Sequence, residues 1–387
     1  MGRVRCEVVE AGPRNRLLSG LLTLLALFAG ALALAVTALG VGETTGTNTA
    51  TAVASVPAQT ISANGTAIAT IAGQTVTASN TVTYALPTVT RTVTQTVTTS
   101  SPPAPLHQLW ADGSFLNTPI PDSVSIDASS STWATNLYST ATYGIWVDYQ
   151  HWTTPIYYAS AATGTASVRI SNSGKTITIP YSTSFKPDDT GDAGIAIIDG
   201  QCLYEFTMFN PSTMVANAEG TYHIETGSGL HATDAGTTGS GISHLGGIIT
   251  AQDVKDGVIK HALRYATPAG LSSSATVYPA NRSDGGAAGG IPAGQLVRLD
   301  PTLDLATYAL TPFQLMVAKA LQTFGAYNAD VSGSFKLYAE STIGGATYAQ
   351  TPAPLPRSLI PKLQFLKPVA SNVVADTNTD PTCNQQH

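Results

Sequence analysis

The sequence predicts an all-β fold: an antiparallel β-sandwich or jelly roll with one packing helix, preceded by an N-terminal transmembrane helix and a Thr/Ser-rich stalk. Three observations predict it. Short β-branched and aromatic runs recur after residue 105 with turn chemistry between them. Residues 17–42 carry no charge. Only 11% of the chain is charged, against ~25% in ordinary soluble domains. With a net charge of −6, the chain has no basic surplus of the kind a nucleic-acid binder shows. Low charge also excludes a coiled coil. The content of 43% hydrophobic residues excludes a wholly disordered chain.

The elements follow in order. Residues 1–16 set Arg3, Arg5, Arg14 and Arg16 against Glu7 and Glu10, a basic flank that stays cytoplasmic. Residues 17–42 are a signal anchor or a signal peptide. The run exceeds the ~20 residues a bilayer needs and the ~7–15 of a signal peptide's apolar stretch, which favours an anchor. The small residues Ala38 and Gly40 near its end keep cleavage as the alternative. Either way the rest is exported, and the protein is expected to be extracellular, cell-surface anchored or secreted. Residues 43–104 are Thr, Ser, Ala and Val with Pro at the end, and Asn64 lies in an N-G-T sequon. Such tracts form stalks. Alternating Thr and Val is also a strand pattern, so strand formation is the rival expectation.

A domain is expected over 105–368. VRI, TITIPYSTSF, GIAIID, CLYEFTMF, TYHIET, LGGIIT, VIKHALRYA, QLVRLD and SFKLYAEST read as strands. One helix stands out: Thr311 can cap it, Pro312 opens it, and Gly325 follows it, with Phe313, Met316, Val317, Ala320, Leu321 and Phe324 at helical spacing. A short helix is expected from Thr250 through Lys255, with Thr250 and Asp253 as a capping box. Residues 369–387 read as a tail. With Cys6 on the cytoplasmic side, Cys202 and Cys383 form the one intramolecular pair available outside, which would pin that tail.

The chemistry concentrates between Asp188 and His261. Tyr204 and Phe206 face one side of a strand and Glu205 the other. A carboxylate in an apolar strand invites a catalytic reading, and two carboxylates are what glycoside hydrolysis needs. Asp192 and Asp199 are candidate partners, although Asp before Gly is ordinary turn chemistry. Trp146, Tyr149, Trp152, Tyr157 and Tyr158 crowd one short stretch and suit a sugar-stacking groove or a packed core. His223 and Glu225 share a strand face and could serve a metal, but spacing brings in no third ligand. No metal and no cofactor is expected.

The segments GDAGIAIIDGQCLYEFTMF and SGISHLGGIITAQDVKDGVIKHALRYATP, with GGIPAGQLVRLDPTLDL and FGAYNAD further on, resemble a family of secreted, mainly actinobacterial β-sandwich proteins. The resemblance spans roughly residues 145–340, and H-A-L-R-Y is its most specific part. It implies an exported, carbohydrate-active sandwich in which Asp192, Cys202, Glu205 and His261 occupy the matching positions. At Gly194 the sequence departs from the family, whose members carry His there, which counts against a mechanism through that imidazole.

The leading expectation is an extracellular glycoside hydrolase acting on a polysaccharide, such as the β-linked glucan cellulose. Glu205 and Asp192 would be the carboxyl pair, assisted by Asp199 or His261. Trp146, Tyr149, Trp152 and Tyr157 would bind substrate. The alternatives are a non-catalytic carbohydrate-binding or adhesive module, a structural surface protein assembling by strand addition, and a glutamic peptidase on a β-sandwich. The expected partners are a polysaccharide or cell-surface glycan and, through residues 17–42, the membrane; nucleic acid is not expected.

Overall fold

The computed structural model describes residues 109–231, 236–368 and Cys383, together with the backbone of four strands nearer the N-terminus. The segment 1–16, the apolar run 17–42, the Asn64 sequon and the tail 369–387 apart from Cys383 lie outside the described residues. Among the described residues no helix is long and apolar enough to cross a membrane. The chain divides into two units, Met1–Ala104 and Pro105–His387.

In the first unit the Thr/Val alternation takes the strand form that was the rival to the stalk. β1 (Asn48–Ser55) pairs antiparallel with β4 (Thr90–Val97), and β2 (Thr66–Ile71) pairs antiparallel with β3 (Gln74–Ser79).

The second unit is β-rich, with its strands in mixed sheets and few helices. A four-stranded sheet has the order β12-β10-β9-β6, from Ala218–His223, Cys202–Thr207, Ile195–Asp199 and Ile156–Tyr158. A six-stranded sheet has the order β19-β16-β17-β13-β18-β5, from Leu363–Phe365, Leu296–Leu299, Ala326–Ser332, Leu263–Pro268, Lys336–Tyr338 and Trp146–Asp148. A three-stranded sheet joins β11 (Val215–Ala216), β7 (Gly164–Ile170) and β8 (Thr176–Tyr181). A two-stranded sheet joins β14 (Ser272–Thr276) to β15 (Ile291–Ala293).

The antiparallel expectation is corrected here. In this unit β6–β9, β5–β18, β13–β17, β7–β11 and β14–β15 are parallel pairs. Turn residues mark where a strand ends but do not name its partner. Parallel pairs are joined by long crossovers rather than tight turns; the connection from β13 to β17 carries α3 (Pro312–Thr323). The helix expectation is corrected at one place: α1 (Ser130–Thr140) is unexpected, whereas the short α2 (Ala251–Asp256) forms where the helix from Thr250 through Lys255 is expected, alongside α3. α1 is poor in strong helix formers, but Ser130, Trp133, Ala134 and Leu137 are buried at helical spacing. Both capping boxes form, Thr311 with Gln314 and Thr250 with Asp253. LGGIIT is not a strand. Gly247 sits at φ +80°, and a Cβ there would lie 2.5 Å from the backbone of Leu263 and Arg264, so the chain turns against β13 instead of pairing along it.

Period-2 alternation sorts each strand between cores. On β9 and β10, Ile195, Ile197, Cys202, Tyr204 and Phe206 face the cluster shared with the β7–β8 hairpin, where Cys202 is disulfide-bonded to Cys383. Ala196, Ile198 and Leu203 face the other way, into a cluster shared with Ala262, Ala266, Ala329 and Tyr338 of the six-stranded sheet. The two larger sheets therefore meet across one apolar layer. On the far side of the six-stranded sheet Leu263, Tyr265, Val297 and Leu337 pack with α1 and α3. Each such fully buried Leu or Phe contributes roughly 1.5–3 kcal/mol.

Candidate functional site

The same alternation that feeds the apolar layer places charged groups in it. On β13, Leu263 and Tyr265 enter the helix-side core, so Arg264 points between the sheets. On β18, Leu337 takes the helix side and Lys336 and Tyr338 the inner side. On β5, Val147 is buried with the helices, leaving Trp146 and Asp148 on the inner face. The register sets Lys336 beside Trp146 and Tyr338 beside Asp148. On β10, Glu205 shares the face of Leu203 and comes in from the opposite sheet.

These groups make a polar seam. Lys336 Nζ lies 2.6 Å from Asp148 Oδ2, and both residues are buried. Burial pushes the Asp148 carboxyl above the ordinary range, while Lys336 pulls it back. The Arg264 guanidinium stacks 3.9 Å over the Tyr338 ring. Lys336 Nζ lies 5.5 Å from that ring and 5.6 Å from the ring of Trp152. Asp330 is pushed up to about 7, first by burial and then by the charge of Asp284, while Arg264 opposes the shift.

Glu205 is fully buried. Its Oε1 accepts from Ser243 Oγ at 2.6 Å and Leu245 N at 2.9 Å, and its Oε2 from Thr237 Oγ1 at 2.7 Å and His244 N at 2.9 Å. A carboxylate has about four acceptor directions, and these donors occupy them. Burial raises the Glu205 carboxyl against the pull of those bonds. Glu205 thus holds residues 237–245, an irregular stretch that is buried almost throughout. A buried loop must satisfy its backbone somewhere; besides Glu205, Arg282 Nη2 donates to Gly236 O at 2.9 Å and Arg282 Nε to Thr238 O at 3.2 Å. Gly220, opposite Glu205 in the register, leaves room for the Tyr222 ring, which a Cβ would meet at 2.5 Å.

The other expected site residues divide. Asp192 is exposed at the rim of the seam; local desolvation raises its carboxyl, and Lys336 and Arg264 oppose that. Glu205 and Asp192 therefore share Arg264 as a charged neighbour. Asp199 ends β9 beside Cys202 at the hairpin turn, away from the seam. His261 is held in the α2 cap, with Nε2 at 3.3 Å from Asp253 Oδ2 and Nδ1 at 2.9 Å from Ala262 O. Burial lowers His261, but the Asp253 bond and charge outweigh it, and its pKa is raised. Trp146 and Trp152 are 44% and 49% exposed. Tyr149 packs edge-on to Tyr348, and Tyr157 stacks at 4.4 Å on Phe185; both serve the core. His223 Nδ1 is 2.9 Å from Thr226 Oγ1, and Glu225 bonds Gln201. Among the described residues no group of three or more His, Cys, Asp or Glu could hold a metal ion.

Sequence reasoning missed Asp148, Arg264, Lys336, His244 and Asp330. The signal that singled out Glu205, one charge inside an apolar strand, was also present in W-V-D, A-L-R-Y and F-K-L-Y. The rim carries backbone strain as well. Trp152, Ala193 and Met208 all have positive φ, at 57°, 38° and 49°. Such conformations persist only where the surroundings impose them, and they cluster at functional sites. Met208 N bonds Asp192 O, and Trp152 N bonds Asp188 Oδ1 at 3.1 Å, so one network supports the rim. Comparison with protein-family models, curated proteins and solved structures returns no match to this chain.

Proposed function

We propose that the second unit is an exported glycan-binding module whose ligand lies across Trp146 and Trp152. The observation that carries this reading is the pairing of two exposed indoles with a buried polar seam directly behind them. Apolar ring faces of a sugar stack on aromatic faces, and the hydroxyls at its edges need fixed donors and acceptors of the kind Lys336, Asp148 and Asp192 present. The Cys202–Cys383 disulfide supports an oxidising, extracellular setting. The resemblance to secreted carbohydrate-active sandwiches points the same way.

The hydrolase reading stands second, and Asp192 favours it: a rim carboxyl held above its ordinary range is suited to general-acid work. Glu205 does not suit the role of its partner, because its oxygens are taken by Thr237, Ser243, His244 and Leu245. Polysaccharide pull-down with the full chain, run beside reducing-sugar release, tests both. We expect retention on an insoluble glycan, a loss of about ten-fold or more in Trp152→Ala, and no sugar release. Sugar release that disappears in Asp192→Asn would replace binding by hydrolysis. Absence of both retention and release would end both readings.

A further inference from the structure

The first unit has an unguarded strand edge. β1 is hydrogen-bonded to β4 along one side and, among the described residues, to no strand along the other. β4 is placed differently, because β3 lies against it. An open edge is a row of unpaired N–H and C=O groups, and what fits it is another extended strand. Proteins that stay single guard such edges with charge, Pro or a bulge. β1 has none of these: it carries no charged residue and no Pro, and its register with β4 runs unbroken over all eight residues. The one charge of residues 44–104, Arg91, sits on β4. β2 also has an open side, but it is six residues long against the eight of β1. A two-stranded ribbon is marginal by itself and gains from further strands.

The alternation along β1 names the incoming strand. Directly opposed residues of an antiparallel pair share a face. Thr49, Thr51 and Ser55 therefore share a face with their partners Thr96, Thr94 and Thr90, and Ala50, Ala52 and Ala54 hold the other face. A second β1 laid antiparallel about Ala52 sets Thr49 opposite Ser55, Thr51 opposite Val53 and Ala50 opposite Ala54, so both faces continue into the second copy. A slip of one residue would set Thr49 against Ala54 and Thr51 against Ala52.

We infer that the first unit is a dimerisation surface: β1 pairs antiparallel with β1 of a second copy about a two-fold axis at Ala52, giving the strand order β4-β1-β1-β4. The contact is closed, since both copies use the same edge. It involves the first unit alone and stands independently of the glycan-binding reading.

Disulfide trapping of the full chain in mild detergent tests the axis. Ala52 and its symmetry mate would lie about 4.5–5.5 Å apart at Cα, inside the ~4.4–6.8 Å that a disulfide spans. Val93, opposite Ala52 on β4, would lie three strand spacings from its mate, roughly 14 Å. Mild oxidation is expected to trap about ten-fold more dimer in Ala52→Cys than in Val93→Cys. The wild type, whose cysteine besides Cys202 and Cys383 is Cys6, is the blank. Sedimentation is expected to show a dimer for the wild type. Ala52→Lys, which opposes like charges on the axis, is expected to weaken association about ten-fold or more. Mixing Ala52→Lys with Ala52→Glu is expected to restore the dimer, which a merely misfolded ribbon would not do. A monomeric wild type, a dimer that persists in Ala52→Lys, or equal trapping of Ala52→Cys and Val93→Cys would overturn the inference. Stronger trapping of Ile68→Cys, at the centre of β2, would overturn the assignment to β1.

Discussion

The two faces of the six-stranded sheet are built from the same strands and do opposite things. The outer face, with Leu263, Tyr265, Val297 and Leu337 under α1 and α3, is apolar and closed. The inner face interrupts its apolar layer with Arg264, Lys336 and Asp148 and opens at Trp146 and Trp152. On the outer face stability is a sum of many small contact terms, each tolerant of a similar shape. On the inner face it depends on specific partners, because a buried charge is tolerable only while its counter-charge and hydrogen bonds are in place. A face of the second kind is costly to keep in a protein that needs only to fold, and the glycan-binding proposal builds on that contrast.

Three measurements would break or sharpen the contrast. The largest effect is expected from Lys336→Ala, which strands the buried Asp148 carboxylate. Urea unfolding should show a loss of about 3–5 kcal/mol. The double variant Asp148→Leu with Lys336→Met should recover most of it; if the single variant costs under about 1 kcal/mol, the seam is wetter and looser than described. Next comes Leu337→Ala, one residue along the same strand and 1% exposed. It should cost about 3 kcal/mol through lost burial and cavity formation, with no change in glycan retention. Loss of retention there would mean that the two faces are coupled. The smallest effect is a pH slope. Asp330 holds its proton to about 7 when folded, against 3.8 for the free group. Between those values the native state binds more protons than the unfolded chain, so stability falls as pH rises through that window. Asp330→Asn should flatten the slope and raise stability at pH 8 by about 2 kcal/mol. An unchanged pH profile would show that Asp330 is ionised throughout.

Much of the local structure was legible. Thr311, Pro312 and Gln314 open α3 where the pattern put it, because a cap is made by residues adjacent in sequence. The strands at GIAIID and CLYEFTMF were visible because two buried cores on opposite sides demand continuous apolar runs. α1 was missed, since its Ser- and Thr-rich composition hides the buried face that tertiary packing supplies. Glu205 was singled out as a catalytic carboxylate because it is a charge in an apolar strand, but residue type could not say that its oxygens bond Thr237, Ser243, His244 and Leu245. Asp199 and His261 drew attention through turn and motif context, and the structure gives them local roles.

The sequence alone determined the β-rich character, the helix caps and the cysteines able to pair, for each depends on neighbours along the chain or on residue type. Only the tertiary structure decided which strands run parallel, which carboxylate is saturated and which stands at a rim, that Lys336 meets Asp148, and that Arg264 stacks on Tyr338. Those depend on contacts between residues far apart in sequence, among them Asp148 and Lys336, which are 188 positions apart. A pattern of period two states that a side chain faces one side of a sheet; what waits on that side is set by how the sheets are stacked.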